Sequence, residues 1–531
     1  MTAPLQKDIL LVTLNSTYQH CAFGLRYLYA NLHDLQPRAH ILEWTIHASP
    51  RNVVEKILSY NPRIVGFGVY IWNTTETFQI VSILKKVAPH VLIVLGGPEV
   101  TYESEDQAIC KAADYVIKGE ADHLFYEFCS KVLVQNAYSV EYPEQKFISG
   151  PAPDITQIQS PYAYYTDEDI KNRIIYVEVS RGCPYKCEYC LSSLDKAVRS
   201  FNLDQFLADI EQLIQRGTRQ FKFVDRTFNL SIQTSSRILE FFLERIHLNL
   251  FLHFEMVPDR LPKELKELIK KFPHGTLQFE VGIQTWNAEV ARNVSRRNDF
   301  SKVHENFQFL AHESGVHTHA DLIVGLPGES VQSFGLGFDN LAACGPHEIQ
   351  VGILKRLKGA PIARHDREFQ MIYQEHPPFQ ILCNKDISYL QMQQMNRFAK
   401  YWDLIANSGN FTNTISWIKQ QAQFRQEKSF FWEFFALSEF LSQRFSETHS
   451  LALQSLLEAL WTYLTEVKKQ AKPMVRDLLL SDYMKDKPRN IPNFLREGLN
   501  ETAYQIHHKI QSASNSLPDR QQRHLQNNNK A

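Results

Sequence analysis

Short apolar, β-branched runs alternate with stretches of helical spacing through much of this chain, and that alternation leaves few architectures open. Residues Asp8-Ile-Leu-Leu-Val-Thr-Leu14, Ile64–Tyr70, Val91–Leu95 and Tyr115–Ile117 each read as a buried strand, with helix-like stretches over Ala22 to Leu32 and near Thr75–Val87. Strands and helices of this length in strict alternation predict a doubly wound, Rossmann-like parallel sheet. Glycines mark the carboxyl ends of these runs, at Gly66 and Gly68, at Gly96 and Gly97, and at Gly119 before Glu120. Open α/β sheets place their ligands at such ends, because the loops diverge and bare backbone can approach a bulky molecule.

From 136 to 172 the chain is rich in Pro, Gln, Tyr and Ser without a clear period, and reads as a linker after a first domain over 1–135. Six further strand candidates follow: Ile174–Ser180, Phe221–Asp225, Leu252–Val257, Leu277–Ile283, Thr318–Leu326 and Glu348–Leu357. Between the first two, Phe206, Ile210, Leu213 and Ile214 repeat at helical spacing over Leu203–Gln215, and Gly217 supplies the stop. Six βα units over 173–365 predict a partial, TIM-type (β/α)6 barrel. Residues 366–511 carry Leu, Phe, Gln and Lys at helical spacing and predict an α-helical domain, in which Phe430-Phe-Trp-Glu-Phe-Phe435 is core. The polar end, 512–531, reads as a disordered tail.

Lys plus Arg number 57 against 58 Asp plus Glu, a formal charge of −1 that disfavours a protein living on nucleic-acid phosphates. No run approaches the apolar length of a membrane span, and the first residues lack a secretory pattern. A cytoplasmic enzyme of small molecules is the expectation, and sparse cysteines agree with a reducing compartment.

Of the 8 cysteines, Cys21, Cys110, Cys129, Cys344 and Cys383 are scattered singly and read as small buried hydrophobes. The other three stand together in Arg181-Gly-Cys183-Pro-Tyr-Lys-Cys187-Glu-Tyr-Cys190, directly after a predicted barrel strand, at the rim where barrels gather catalytic groups. One loop can wrap these thiols around a compact metal cluster. Three thiolates leave one corner of a four-iron cube without a protein ligand. Structural zinc would need a fourth ligand, and none lies nearby in sequence.

The spacing Cys183-x3-Cys187-x2-Cys190, with aromatic Tyr189 before the last cysteine, resembles the signature of radical S-adenosylmethionine enzymes. That resemblance implies a 4Fe-4S cluster on the three cysteines. Its free iron would chelate S-adenosyl-L-methionine, reduce the sulfonium, and release methionine and a 5′-deoxyadenosyl radical, with an external low-potential electron donor such as flavodoxin or ferredoxin as partner. It also places cosubstrate contacts at strand ends. Asp225 ends the second strand, Glu255 the third, Glu280 and Gln284 the fourth, and Ile323 and Gly325 the fifth. The family's Gly-Gly-Glu stretch is replaced here by Asp225-Arg226-Thr227.

A doubly wound domain ahead of such a barrel resembles the cobalamin-binding domain of one class of these enzymes. Gly66, Gly68, Gly96, Gly97, Gly119 and Glu120 would then line the path of the corrin's nucleotide tail. The Asp-x-His-x-x-Gly signature is absent, although His20 stands in the loop where a cobalt-ligating histidine would lie, with Tyr18 in the place of the Asp. The resemblance implies methylation of an unactivated carbon of a small molecule. Its alternatives are a cobalamin-dependent rearrangement or cyclisation, and a non-catalytic protein that retains both cofactors. A methylthiotransferase would need a second cluster, for which Cys21, Cys110 and Cys129 are the available thiols.

Overall fold

The computed structural model describes residues 6–134, 144–424, 429–446, 448, 451–485, 489–496, 520–521 and 523–524. The chain forms two compact units. The first is Met1–Arg226 with Lys355–Arg364 and Tyr373–Gln380, and the second is the remainder.

The first unit is built on a parallel sheet of β1 (Ile9–Asn15), β2 (Ala39–Thr45), β3 (Ile64–Gly68), β4 (Leu92–Gly96), β5 (Tyr115–Lys118) and β6 (Phe147–Ser149), in the order β2-β1-β3-β4-β5-β6. The reversal between β1 and β3 makes it doubly wound, as expected. β1 is buried along its whole length because both faces are covered. Leu10, Val12 and Leu14 pack on one side with Val53, Ile57 and Ile80, while Ile9 and Leu11 pack on the other with Leu25, Phe125 and Phe128.

Two of its strands differ from expectation. β2 is half-buried along Ala-His-Ile-Leu-Glu-Trp-Thr, so it lacks the continuous apolar run that marks its neighbours. β6 comes from the stretch read as a linker, and its register with β5 runs from Val116↔Phe147 to Lys118↔Ser149. Farther along, Tyr162 and Tyr165 are buried, and the Tyr165 hydroxyl donates to the carbonyl of Tyr176 (2.7 Å).

The unit also contains β7 (Ile175–Val177), β8 (Ser180–Arg181), β9 (Arg199–Ser200), the helix Leu203–Gln215 and β10 (Gln220–Phe223). β7 and β10 pair in parallel, and β8 pairs with β9 antiparallel. The helix has the bounds predicted. Asn202 caps it by accepting from the Gln205 amide, and Phe206, Ile210, Leu213 and Ile214 are its buried face.

The second unit continues the βα series with β11 (Phe251–Met256), β12 (Leu277–Gln284), β13 (His317–Val324) and β14 (Glu348–Ile353), ordered β14-β13-β12-β11 and all parallel. Taken along the chain, β7 and β10 to β14 are the six strands of the predicted partial barrel. Helices follow over Tyr389–Trp402, Thr412–Phe424, Phe430–Arg444, Leu453–Thr462 and Lys472–Tyr483, the expected helical region. Phe431 reaches Phe398 (ring centroids 4.8 Å) and packs where a Cβ on Gly335 would lie 2.6 Å from its ring. Phe430, Phe431 and Phe434 are therefore core, whereas Phe435 is half-buried and Trp432, expected in the core, is exposed because it lies on the helix's outer face.

β14 ends its strand order. Here the Asn407 side chain accepts from the Ile349 amide (3.0 Å) and donates to the Ile349 carbonyl (2.9 Å), which also accepts from the Trp402 indole (2.8 Å). Most of the tail read as disordered, 512–531, lies outside the described residues. Among its described residues, Arg520 pairs with Glu348 (2.9 Å) and the His524 imidazole meets the Asn407 carbonyl (3.0 Å).

Candidate functional site

Within the first unit the cysteine motif forms a loop from β8 to β9, closed at its base by the register pairs Ser180↔Ser200 and Arg181↔Arg199. The Cys183 amide donates to the Asp195 carbonyl (2.9 Å) and the Cys190 amide to the Cys187 carbonyl (3.1 Å). Gly182 has φ +93°, and a Cβ there would fall on the Ala197 carbonyl oxygen, so only glycine lets the loop close. None of the three is in a disulfide; Cys183 and Cys187 are buried and Cys190 is half-buried. Burial pushes the Cys183 thiol up, and the neighbouring Cys190 and Cys187 add to the effect. Electropositive groups or metal must supply what burial withholds if these are to be thiolates. Between them, Glu188 is buried and pairs with Arg364, while its carbonyl accepts from the Ile362 amide (2.9 Å).

A cavity of about 190 Å³ opens among the ends of β3, β4 and β5 in the same unit, lined by Gly66, Gly68, Gly96, Gly97, Gly119 and Glu120, with Tyr27, Phe125, Asp122 and Arg181. The structure thus brings together the five glycines, with Glu120, that the sequence analysis placed on the path of the corrin's tail. They do different work. A Cβ on Gly66 would press on Phe125 (3.0 Å), and one on Gly97, whose φ is +108°, would lie 2.5 Å from the Val69 carbonyl oxygen. Gly96 and Gly119 instead face open space: a Cβ on Gly96 meets only the Ile117 carbonyl oxygen at 3.8 Å, and one on Gly119 meets nothing within 4 Å.

His20 is not part of that cavity. Its Nδ1 lies 2.5 Å from the Tyr176 hydroxyl, its backbone bridges Ile174, and burial lowers its pKa. Asp225 is buried, and its carboxylate accepts from the Val179 amide (3.0 Å) and the Ser180 hydroxyl (2.6 Å), so the chain itself supplies the partners that its burial demands. Tyr189 is half-buried within the cysteine loop.

Within the second unit, Glu255 and Glu280 are register partners on adjacent strands, side by side on one face. Glu280 also meets His253 Nε2 (2.9 Å). Gln284 ends β12 at φ +70°, and Ile323 stands near the end of β13, two positions beyond Asp321. Gly325 has φ +93°, and a Cβ there would come 2.7 Å from Ile381, so packing already demands this glycine.

Sequence reasoning missed the ionic groups around the cysteine loop. Arg181 and Arg199 were visible as residues flanking the motif, but their partners Glu120, Asp122 and Glu178 are brought in by the fold. Burial raises the Glu178 carboxyl to about 7 in spite of Arg181. Burial acts on Glu120 in the same sense, yet hydrogen bonds from Arg199 and Arg181 outweigh it and hold that carboxyl below its usual range.

Comparison with known proteins agrees with this arrangement. Residues 9–128 match the B12 binding domain, 177–335 the radical SAM superfamily, and 367–531 a protein of unknown function, DUF4080. The 2-(S-pantetheinyl)-carbapenam-3-carboxylate methyltransferase of Streptantibioticus cattleyicolor is 24% identical over 57% of this chain and 48% of its own length. The cobalamin-dependent radical SAM methyltransferase TokK of Streptomyces tokunonensis is 22% identical over the same shares, 57% and 48%. The chain therefore spans about half the length of these relatives. Among solved structures, the cobalamin-dependent S-adenosylmethionine radical enzyme OxsB with aqua-cobalamin bound covers 98% of this chain and 84% of its own at 12% identity (TM-score 0.62). TsrM from Kitasatospora setae, a radical S-adenosylmethionine methyltransferase, covers 70% and 79% at 16% identity (TM-score 0.56). Fold and site thus define a radical SAM protein with a B12-binding domain ahead of its barrel. The radical SAM match implies a 4Fe-4S cluster and S-adenosyl-L-methionine, and the B12-binding match implies cobalamin.

Proposed function

We propose that this chain is a cobalamin-dependent radical methyltransferase acting on an unactivated carbon of a small molecule, with cobalamin held in 1–135, the radical barrel in 173–365 and a helical domain in 366–511. The observation that carries this reading is one compact unit holding three cysteines in a single loop, none of them in a disulfide, and a glycine-lined cavity.

The residues present fit both groups. Cys183, Cys187 and Cys190 stand in one loop between paired strands, and three thiols from one loop can each take a separate iron of a cube. Gly96 and Gly119 leave room that a side chain would fill, and among the described residues no histidine lines the cavity. When bound, the cluster with S-adenosylmethionine supplies hydrogen abstraction, and the cobalamin supplies the methyl group. The chain's own part is to hold and to exclude. Cys183, Cys187 and Cys190 would hold the cluster, with Tyr189 beside the last of them. Asp225 in the first unit, and Glu255, Glu280, Gln284, Ile323 and Gly325 in the second, are each proposed as S-adenosylmethionine contacts from the resemblance, and burial of Cys183 and Cys187 keeps water from those two thiols. An external low-potential reductant completes the system; among the described residues no helix is long and apolar enough to cross a membrane.

Methylthiotransferases are also among the relatives, but Cys110 and Cys129 lie in the cores on opposite faces of the first sheet and cannot share a second cluster. The test is anaerobic reconstitution with iron, sulfide and hydroxocobalamin, followed by turnover with a deuterated methyl donor. Labelled methyl in a product is expected. Deoxyadenosine without labelled methyl in any product refutes methyl transfer.

A further inference from the structure

The cysteine loop and the glycine-lined cavity share one set of charges. Arg181, two residues before Cys183, lines the cavity together with Glu120 and Asp122. Its Nη1 donates to Glu120 Oε2 (2.9 Å) and Asp122 Oδ2 (2.9 Å), its Nη2 to Asp122 Oδ1 (3.2 Å), and its Nε to Glu178 Oε1 (2.9 Å). The guanidinium lies over the Tyr27 ring, 4.5 Å from its centroid, and Tyr27 is another wall of the cavity. On the opposite side of the loop, Arg199 grips the other oxygen of Glu120 and also Asp195 (2.8 Å), whose carbonyl holds the Cys183 amide. Glu120 therefore spans both strands from which the loop springs, while its backbone follows Gly119 at the mouth of the cavity. Arg181, Glu120, Asp122 and Arg199 are largely buried, where charged hydrogen bonds fix geometry closely, while Asp195 is more exposed.

We propose that Arg181 and Glu120 are positioning residues that couple the two cofactor seats, so that filling the cavity with a corrinoid holds the cysteine loop in the shape that accepts the cluster, and the reverse. This rests on the proposed cofactors being bound where stated. Coupling of this kind is reciprocal: each ligand must change the affinity of the other by the same factor, commonly about 5- to 150-fold.

The test uses the full chain, purified anaerobically, and hydroxocobalamin as probe. Its Kd is measured by absorbance titration in the metal-free and in the cluster-loaded protein, and iron retention against a chelator is measured with and without hydroxocobalamin. We expect the loaded protein to bind about tenfold more tightly and the corrinoid to slow iron loss. Glu120→Gln, which keeps the side chain's shape but not its charge, should bring the ratio of the two Kd values close to one, whatever it does to either Kd taken singly. A merely structural role would weaken both states alike and leave the ratio in place. A wild-type ratio within twofold, or an unchanged ratio in Glu120→Gln, overturns the coupling. Wild-type protein that binds no corrinoid in either state overturns the functional reading as well, so the two failures are told apart; should the variant not fold, the wild-type ratio decides alone.

Discussion

Replacing Gly96 by valine separates a ligand-binding cavity from a packing defect. Gly96 is the last residue of β4, its φ is not positive, and a Cβ there has only the Ile117 carbonyl oxygen at 3.8 Å. The fold therefore has room for a Cβ at this position, and a β-branched residue at a strand end relieves the entropic cost of glycine, roughly 0.5–1 kcal/mol. Its two methyls enter a space of about 190 Å³. For a ligand that must fill that space, overpacking costs about 1–3 kcal/mol. At 1.4 kcal/mol per tenfold, that is a loss of roughly 5- to 150-fold in affinity. The assay is absorbance titration with hydroxocobalamin beside a thermal melt. The expected result is weaker binding with an unchanged or slightly raised melting temperature. Gly97→Ala should do the opposite, lowering the melt, because φ +108° and the Val69 carbonyl oxygen at 2.5 Å oppose any Cβ. A folded Gly96→Val protein that binds hydroxocobalamin within twofold of wild type refutes the assignment of the cavity.

Gly182→Ala should cut iron incorporation on anaerobic reconstitution to less than half, since the added methyl meets the Ala197 carbonyl oxygen and the cysteine loop cannot close; iron analysis per chain checks this. Glu329 is buried, bonded to Thr285 (2.7 Å), and raised by burial from 4.5 to about 7. A carboxyl that holds its proton longer in the native state than in the unfolded one loses stability as pH rises from its unfolded to its folded pKa, here on the order of 3 kcal/mol. Urea unfolding at pH 5 and pH 8 should show that loss in wild type and not in Glu329→Gln. Phe431→Ala removes a ring packed on Phe398 (4.8 Å) and on Gly335, and should cost about 3–5 kcal/mol in the same assay.

The features legible in sequence were those written in local periodicity. The helix Leu203–Gln215 carries its own cap and apolar stripe, and the barrel strands are apolar runs set off by turns. β2 escaped because Ala39–Thr45 is only half-buried, and β6 because three residues carry too little pattern to stand out from a polar stretch. The cysteine loop was fully legible, since its spacing is itself the structure. What sequence could not place were side chains satisfied at long range. His20 occupies the expected loop, but its imidazole is taken by Tyr176, 156 residues away. Asp225 looked like a carboxylate in need of a ligand and is met by Val179 and Ser180 across two strand ends. Glu120 looked like a cavity residue and is one, but Arg181 and Arg199 claim its charge from 61 and 79 residues along.

A barrel that does not close leaves an outer strand whose amide and carbonyl groups are a template for another chain's strand. At β14 that invitation is withdrawn at Ile349, where the Asn407 carboxamide imitates one peptide unit of a neighbouring strand, accepting and donating in turn, and the Trp402 indole occupies the same carbonyl. The helical region thus acts as a sham strand as well as a source of core. Without Asn407 and Trp402, the Ile349 amide and carbonyl would be open to another strand's peptide groups.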